Sequence, residues 1–320
     1  MRTEQEMFDL VLTVARQDAR VRAVYMNGSR ANPNAPKDIF QDYDIVYVVT
    51  ETTSFLRDEN WVRVFGELIM MQEPDKNHYG LLPGGSNGAQ NQRELDEDYE
   101  IEGGVQTHDT VCKRVTSYGY LMLFADGNRI DLHIQTKDAM QAVYLHDKLT
   151  VPLLDKDNCL PAIPPATDVD YQVRRPSEAE YLSSCNDFWW CLQNVAKGIW
   201  RDELPYAKAM FEKPVRVQLD AMVSWWIGMQ HDFNLSAGKM GKYFKKYLPE
   251  NYWEMYKSSY SSGDYHDFWE SIFVTCKLFR TLALEVGRHL SFSYPEADDR
   301  NMTAYLRHVR NLPADAEGVY

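Results

Sequence analysis

"MNGSRANPNAPKDIFQDYDIVYVV", residues 26–49, closes one apolar run on Gly28-Ser29 and opens the next on Asp42 and Asp44. The second run, "YDIVYVVT" from 43 to 50, is nearly continuous in apolar character, which predicts a central strand covered on both faces. The first, "VRAVYM", predicts a short strand ending at Asn27-Gly28-Ser29. Two carboxylates are out of place at the mouth of a buried strand. At i and i+2 they point to the same side, about 7 Å apart along the backbone. Partly desolvated, each opposes ionisation of the other. A divalent cation such as Mg²⁺ removes that conflict and makes a phosphate-binding site, particularly if a third carboxylate joins from a neighbouring strand.

"YGYLMLFADGNRIDLHI", residues 118–134, offers that third group. It reads as two strands joined at Asp126-Gly127, a pair that tolerates the positive φ of a tight hairpin. Alternation places Arg129, Asp131 and His133 on one face and Ile130, Leu132 and Ile134 on the other. His133, on the face of Asp131, either touches a phosphate or substrate or is a structural or surface histidine, and the second reading is preferred. Gly28 lets the backbone approach a phosphate, to which the Ser29 hydroxyl and nearby N–H groups can donate. The chain has no GxxxxGK[ST] loop, no GxGxxG after a strand, no HExxH and no GxSxG.

The rest of the chain bounds this reading. Its 320 residues suffice for two domains, and a formal net charge of −13, from 47 acidic against 34 basic side chains, argues against a nucleic-acid partner; it would attract a cationic ligand, or serve simply to keep the protein soluble. Five cysteines without metal-site spacing fit a reducing compartment. "MRTEQEMFDLVLTVARQD" reads as an amphipathic helix, not a signal peptide, and no segment is long enough for a membrane span, so a cytoplasmic location is expected. A helix is expected around "ENWVRVFGELI". Residues 77–110, with "LPGGSNGAQNQ" and "ELDEDYEIE", read as an inserted loop or lid. "PLLDKDNCLPAIPPATDVDYQVRRP" reads as an irregular crossing between domains. From Ser177, which stands in capping-box spacing with Glu180, the chain is helical.

Glycine-serine, twelve residues, then "DYD", then "IDL" resembles the nucleotidyltransferase superfamily that includes the polymerase-beta fold. "MRTEQEMFDLVL", "NGSRANPNAPKDIFQDYDIVYVVT", "YLMLFADGNRIDL", "DKLTVPLLDKDN" and "CNDFWWCLQNVAKGIWRDEL" are similar to the streptomycin 6-adenylyltransferases, from Met1 to about residue 310. Residues 77–110 depart from that pattern, being longer than the family's usual connection. The resemblance implies an α+β protein: a mixed-sheet nucleotidyltransferase domain over 1–160 and an all-α bundle over 161–320. It implies transfer of AMP from ATP to an aminoglycoside hydroxyl, with Asp42, Asp44 and Asp131 as catalytic, Mg²⁺-holding residues. Asp131 either completes the metal site or also takes the hydroxyl proton. Gly28, Ser29 and Arg30 would meet the nucleotide. Lys197 and Arg201, at i and i+4, either clamp the triphosphate or form a solvated basic face. Asp187, in an aromatic helix where a carboxylate is otherwise out of place, either pairs with a cationic group of the acceptor or forms a salt bridge within the helix. Other acceptors, or a nucleotide-binding sensor without turnover, are the rival functions.

Overall fold

The structure, a computed structural model, describes residues 1–77 and 115–320. The chain divides into two compact units, Met1–Asp170 and Tyr171–Tyr320. Among the described residues of the first, β1 (Val21–Met26), β2 (Tyr43–Val49), β3 (Leu68–Gln72), β4 (Ser117–Phe124), β5 (Arg129–Thr136) and β6 (Val151–Asp155) form one sheet ordered β3-β4-β5-β2-β1-β6. β2 is parallel to β5, and the other pairings are antiparallel.

The composition of β2 follows from its place in that order. Tyr43, Ile45, Tyr47 and Val49 pack with Ile130, Leu132 and Ile134 of β5 and with Met7, Val11 and Ala15 of α1 (Glu4–Gln17). Val46 and Val48 face the other way, against Ala23, Tyr25, Met140 and Tyr144. With both faces covered, Asp44 is the one polar residue of β2 and escapes full burial only because it lies at the strand's mouth. α1 is started by a Thr3–Glu6 capping box and anchored where Tyr47 donates to the Val11 carbonyl at 2.6 Å. The β4–β5 hairpin turns at Gly127, whose φ of +83° suits glycine. Asp126 beside it is held by Arg2 at 2.7 Å, and that guanidinium keeps its carboxyl well below the usual carboxylate range.

Three expectations are corrected. "ENWVRVFGELI" is a 3₁₀ turn, Trp61–Phe65, followed by strand β3, because Gly66 at φ +135° takes the chain out of helical geometry. "VPLLD" is edge strand β6 and not a crossing; an edge position tolerates the missing N–H of Pro152. Residues 161–170 belong to the first unit, tied there by Asn34 donating to Asp168 at 3.1 Å and by Lys148 to Asp170 at 2.9 Å. Apart from residue 77, the expected insertion over 77–110 lies outside the described residues.

The second unit is helical. α2 (Glu178–Trp200) begins with the Ser177–Glu180 capping box. α3 (Leu204–Met210) runs through a π-helical turn, Phe211–Val215, into α4 (Arg216–Gln230). Pro214, which cannot donate to a regular helix, sits in that turn. α5 (Tyr265–Leu290) stacks Phe279 on Phe188 of α2 with ring centroids 3.7 Å apart, and α6 (Glu296–Arg310) completes the packing around α2. No helix among the described residues is long and apolar enough to cross a membrane.

Candidate active site

The parallel register of β2 and β5 pairs Asp44 directly with Asp131. Neighbouring strands lie about 4.8 Å apart, and paired residues of parallel strands present their side chains to the same face. Asp42, two residues before Asp44, joins that face from just outside β2, and Arg129, two before Asp131, joins it from the start of β5. The sheet therefore gathers three carboxylates and one guanidinium at a single end.

The turn after β1 closes over them. Gly28 has φ +74°, and a Cβ placed on it would come within 1.9 Å of Asp44 Oδ2. Only glycine fits, both for its backbone angle and because the carboxylate occupies the space of a side chain. The Asn27 N–H donates to the Asp44 carbonyl at 3.0 Å, docking turn on strand. On its other side, Asn27 Nδ2 donates to Thr150 Oγ1 at 2.8 Å. The Ser29 carbonyl accepts from Gln41 Nε2 at 3.3 Å, closing the loop between the turn and β2.

Arg30, expected at the nucleotide, is engaged within this loop. Its guanidinium donates to the carbonyls of Gln41 at 2.7 Å and Asp42 at 3.1 Å, pairs with Glu4 at 3.1 Å and stacks 3.8 Å above the Tyr43 ring. These contacts fix the backbone at Asp42, so Arg30 positions the carboxylate. Arg129 is the site residue that sequence reasoning left without a role. Its Nε and Nη2 donate to the two oxygens of Asp131 at 2.7 Å each, and its Nη1 lies 3.5 Å from Asp42 Oδ2. The signal was the R-x-D spacing on one strand face.

Burial pushes the Asp42 carboxyl above its ordinary range; Arg129 draws it down and the charge of Asp131 adds to the rise. The Arg129 guanidinium is held even more firmly protonated by its bonds to Asp131. His133, next on the same face, has its pKa lowered by burial and packs where a side chain on Gly119 would stand, a structural placement. A cavity of about 390 Å³ lies at the far end of β2 and β5, beside Val49 and Thr136, away from the carboxylates.

Lys197, Arg201 and Asp187 belong to the second unit. Lys197 is half-buried in the last turn of α2, and Arg201 is exposed as its C-cap, with its N–H donating to the Lys197 carbonyl at 3.0 Å. Both cations sit at the negative end of the helix dipole. Asp187 is exposed while Phe188 and Trp189 beside it are buried, so the aromatic sequence around it does not desolvate it. That argument for a special role fails, because the rings occupy the other face of the helix.

Oxygen-only donors suit a hard cation such as Mg²⁺. Among the described residues, one trio of possible ligands has its atoms within 4.8 Å of one another: Asp264, His266 and Asp267, all exposed, where Asp264 serves as the N-cap of α5. The oxygens of Asp42, Asp44 and Asp131 stand wider than this, with Arg129 bonded between two of them.

The chain is similar to known proteins over nearly its whole length. The family model for streptomycin adenylyltransferase matches residues 1–83 and 104–309, leaving out 84–103 within the expected insertion. An aminoglycoside 6-adenylyltransferase of Campylobacter jejuni is 36% identical over 96% of both chains. One of Bacillus subtilis (strain 168) is 35% identical over 97% of this chain and 98% of the other. A third, of Staphylococcus aureus, is 32% identical over 96% and 98%. Relatives so named are nucleotidyltransferases. With its glycine turn, its register-matched aspartates and its near full-length similarity, the chain belongs to the streptomycin adenylyltransferase family.

Proposed function

We propose that the protein transfers AMP from ATP to a hydroxyl of an aminoglycoside, streptomycin foremost, releasing pyrophosphate and so conferring antibiotic resistance. The observation that carries this reading is the pairing of Asp44 with Asp131 beneath a turn whose Gly28 leaves room for the Asp44 carboxylate. In the reaction the acceptor oxygen bonds to the α-phosphorus as the bond to the bridging oxygen of pyrophosphate breaks, and the hydroxyl loses its proton.

Asp42, Asp44 and Asp131 would hold Mg²⁺, which when bound offsets the negative charge on the reacting phosphate oxygens. The chain's own groups orient the reactants. The Gly28-Ser29 turn offers backbone and hydroxyl donors to the phosphates, and Arg30 keeps Asp42 in place through the Gln41 and Asp42 carbonyls. Asp131 is the group proposed to take the hydroxyl proton. Lys197 and Arg201 are assigned to the triphosphate, and Asp187 to a guanidinium of the acceptor, which a carboxylate grips with two oxygens.

The test is incubation of the pure protein with ATP, Mg²⁺ and a panel of aminoglycosides and neutral hydroxyl compounds, read by pyrophosphate release and product mass. Streptomycin should support turnover and gain one adenylyl group. Turnover with another acceptor alone would move the activity to that acceptor, and no pyrophosphate with any acceptor would refute the reading.

A further inference from the structure

Arg129 opens β5 and grips Asp131, two residues on, with a two-pronged hydrogen bond of 2.7 Å in each arm. Its remaining terminal nitrogen lies 3.5 Å from Asp42. A single guanidinium thus spans two of the three carboxylates assigned above to metal and engages both oxygens of one. Those are the oxygens a divalent ion would use. The two cations therefore compete at Asp131, each weakening the other's hold on the same charge.

We propose that Arg129 is the resident counter-cation of the carboxylate cluster, competing with the divalent ion for Asp131 and Asp42 and yielding to it when the nucleotide's polyphosphate offers the guanidinium another partner. The proposal rests on the metal reading given above. Its direction follows from the two side chains: Asp131 is 14% exposed and fixed by its strand, whereas Arg129 is 42% exposed on a long flexible stem, so the arginine is the partner that moves. The forked donor set of a guanidinium matches phosphate as well as carboxylate, which gives the released group a place to go. The other arginine nearby, Arg30, has its donors turned to the Gln41 and Asp42 carbonyls and to Glu4. The consequence is a coupling: metal binds weakly to the protein alone and tightly with nucleotide, and nucleotide gains the same factor from metal.

The experiment measures Mn²⁺ binding to the full chain by calorimetry, with and without an ATP analogue carrying a methylene bridge between its α and β phosphorus atoms. Wild-type protein should bind Mn²⁺ more tightly when the analogue is present. Arg129→Gln should bind Mn²⁺ alone about tenfold more tightly than wild type, the scale of one charge-assisted pair, and should show a smaller gain from the analogue. Arg129→Lys, which keeps the charge but loses the fork, should fall between the two, and carries the test by itself if the glutamine variant does not fold. Variants that bind Mn²⁺ no more tightly than wild type, with the analogue's effect unchanged, would overturn the role of Arg129 and leave the metal reading standing. Wild-type Mn²⁺ binding that Asp44→Asn does not weaken would overturn both.

Discussion

The described residues hold several two-pronged arginine–aspartate pairs, and two of them, one in each unit, differ in their surroundings. In the second unit Arg280 grips Asp299, whose oxygens also accept from Tyr294 at 2.8 Å and from Thr303 at 3.0 Å. Asp299 is 8% exposed, and the pair joins α5 to α6 as a closed polar knot. In the first unit Arg129 grips Asp131 with Asp42 at its other edge and Asp44 opposite in register. The pair in the second unit holds helices together. The pair in the first stands among further carboxylates at a strand end, an arrangement that suits a site receiving cations and phosphates.

The largest effect should come from disturbing the carboxylate cluster of the first unit. Asp44→Asn or Asp42→Asn should lower kcat by about 10²–10³-fold, as for other single preorganised electrostatic groups, while thermal unfolding stays within a few degrees of wild type. Near wild-type turnover in either variant would remove the contrast between the two pairs. Asp299→Asn should do the reverse, costing about 3 kcal/mol of stability or less, since Arg280 remains one-third exposed, with activity per folded molecule retained. Urea melts read beside specific activity separate the two outcomes.

Gly28→Ala asks whether the turn serves the carboxylate or merely the fold. Backbone strain at φ +74° should cost about 1–3 kcal/mol. The added methyl, placed within 1.9 Å of Asp44 Oδ2, should reduce kcat by more than that loss of stability explains. Equal activity per folded molecule would assign Gly28 to the turn alone.

A half-buried carboxylate of the second unit sharpens the comparison through pH. Burial raises Asp220 to about 6, although Tyr256 donates to it at 2.8 Å. An acid whose pKa is higher folded than unfolded binds more protons in the folded state, so its stabilising contribution is complete below about pH 4 and lost as pH rises to about 6. Asp220→Asn should therefore gain melting temperature relative to wild type across that window and hold the gain above it. A constant difference from pH 4 to 7 would mean that Asp220 does not titrate there. The smallest effects are expected at half-buried Lys197 and exposed Asp187 on α2. Lys197→Ala should raise the KM for ATP, and Asp187→Asn that for the aminoglycoside, each by about tenfold or less with stability unchanged. Unaltered kinetics would mark them as solvated surface.

Much of the site was legible because it is written in short-range pattern. The apolar run of β2 with its two aspartates, the Asp126-Gly127 turn and the alternation of β5 all depend on neighbours within a few residues. What was not legible depends on register and on packing at a distance. The ion pair of Arg129 with Asp42 requires knowing that β5 lies beside β2 and parallel to it, and the contact of Gly28 with Asp44 spans a loop whose path is set by Arg30. β3 and β6 were missed because edge strands need not alternate cleanly and can carry Pro152. The exposure of Asp187 beside buried Phe188 and Trp189 was not legible either, because neighbours in sequence stand on different sides of a helix.

The parallel junction of β2 and β5 also bears on how such a chain can vary over generations. Asp44 and Asp131 are brought together by backbone pairing along two strands and by the hydrophobic layer beneath them, not by the length of chain that separates them. Residues can therefore be gained or lost between the strands without moving either aspartate, provided that the new chain returns to β4. Doubling a flexible connection costs only about 0.6 kcal/mol of closure entropy. The stretch 84–103, which the family match passes over, falls in that interval. Chain length in that interval can thus change while the pairing of Asp44 with Asp131 stays as it is.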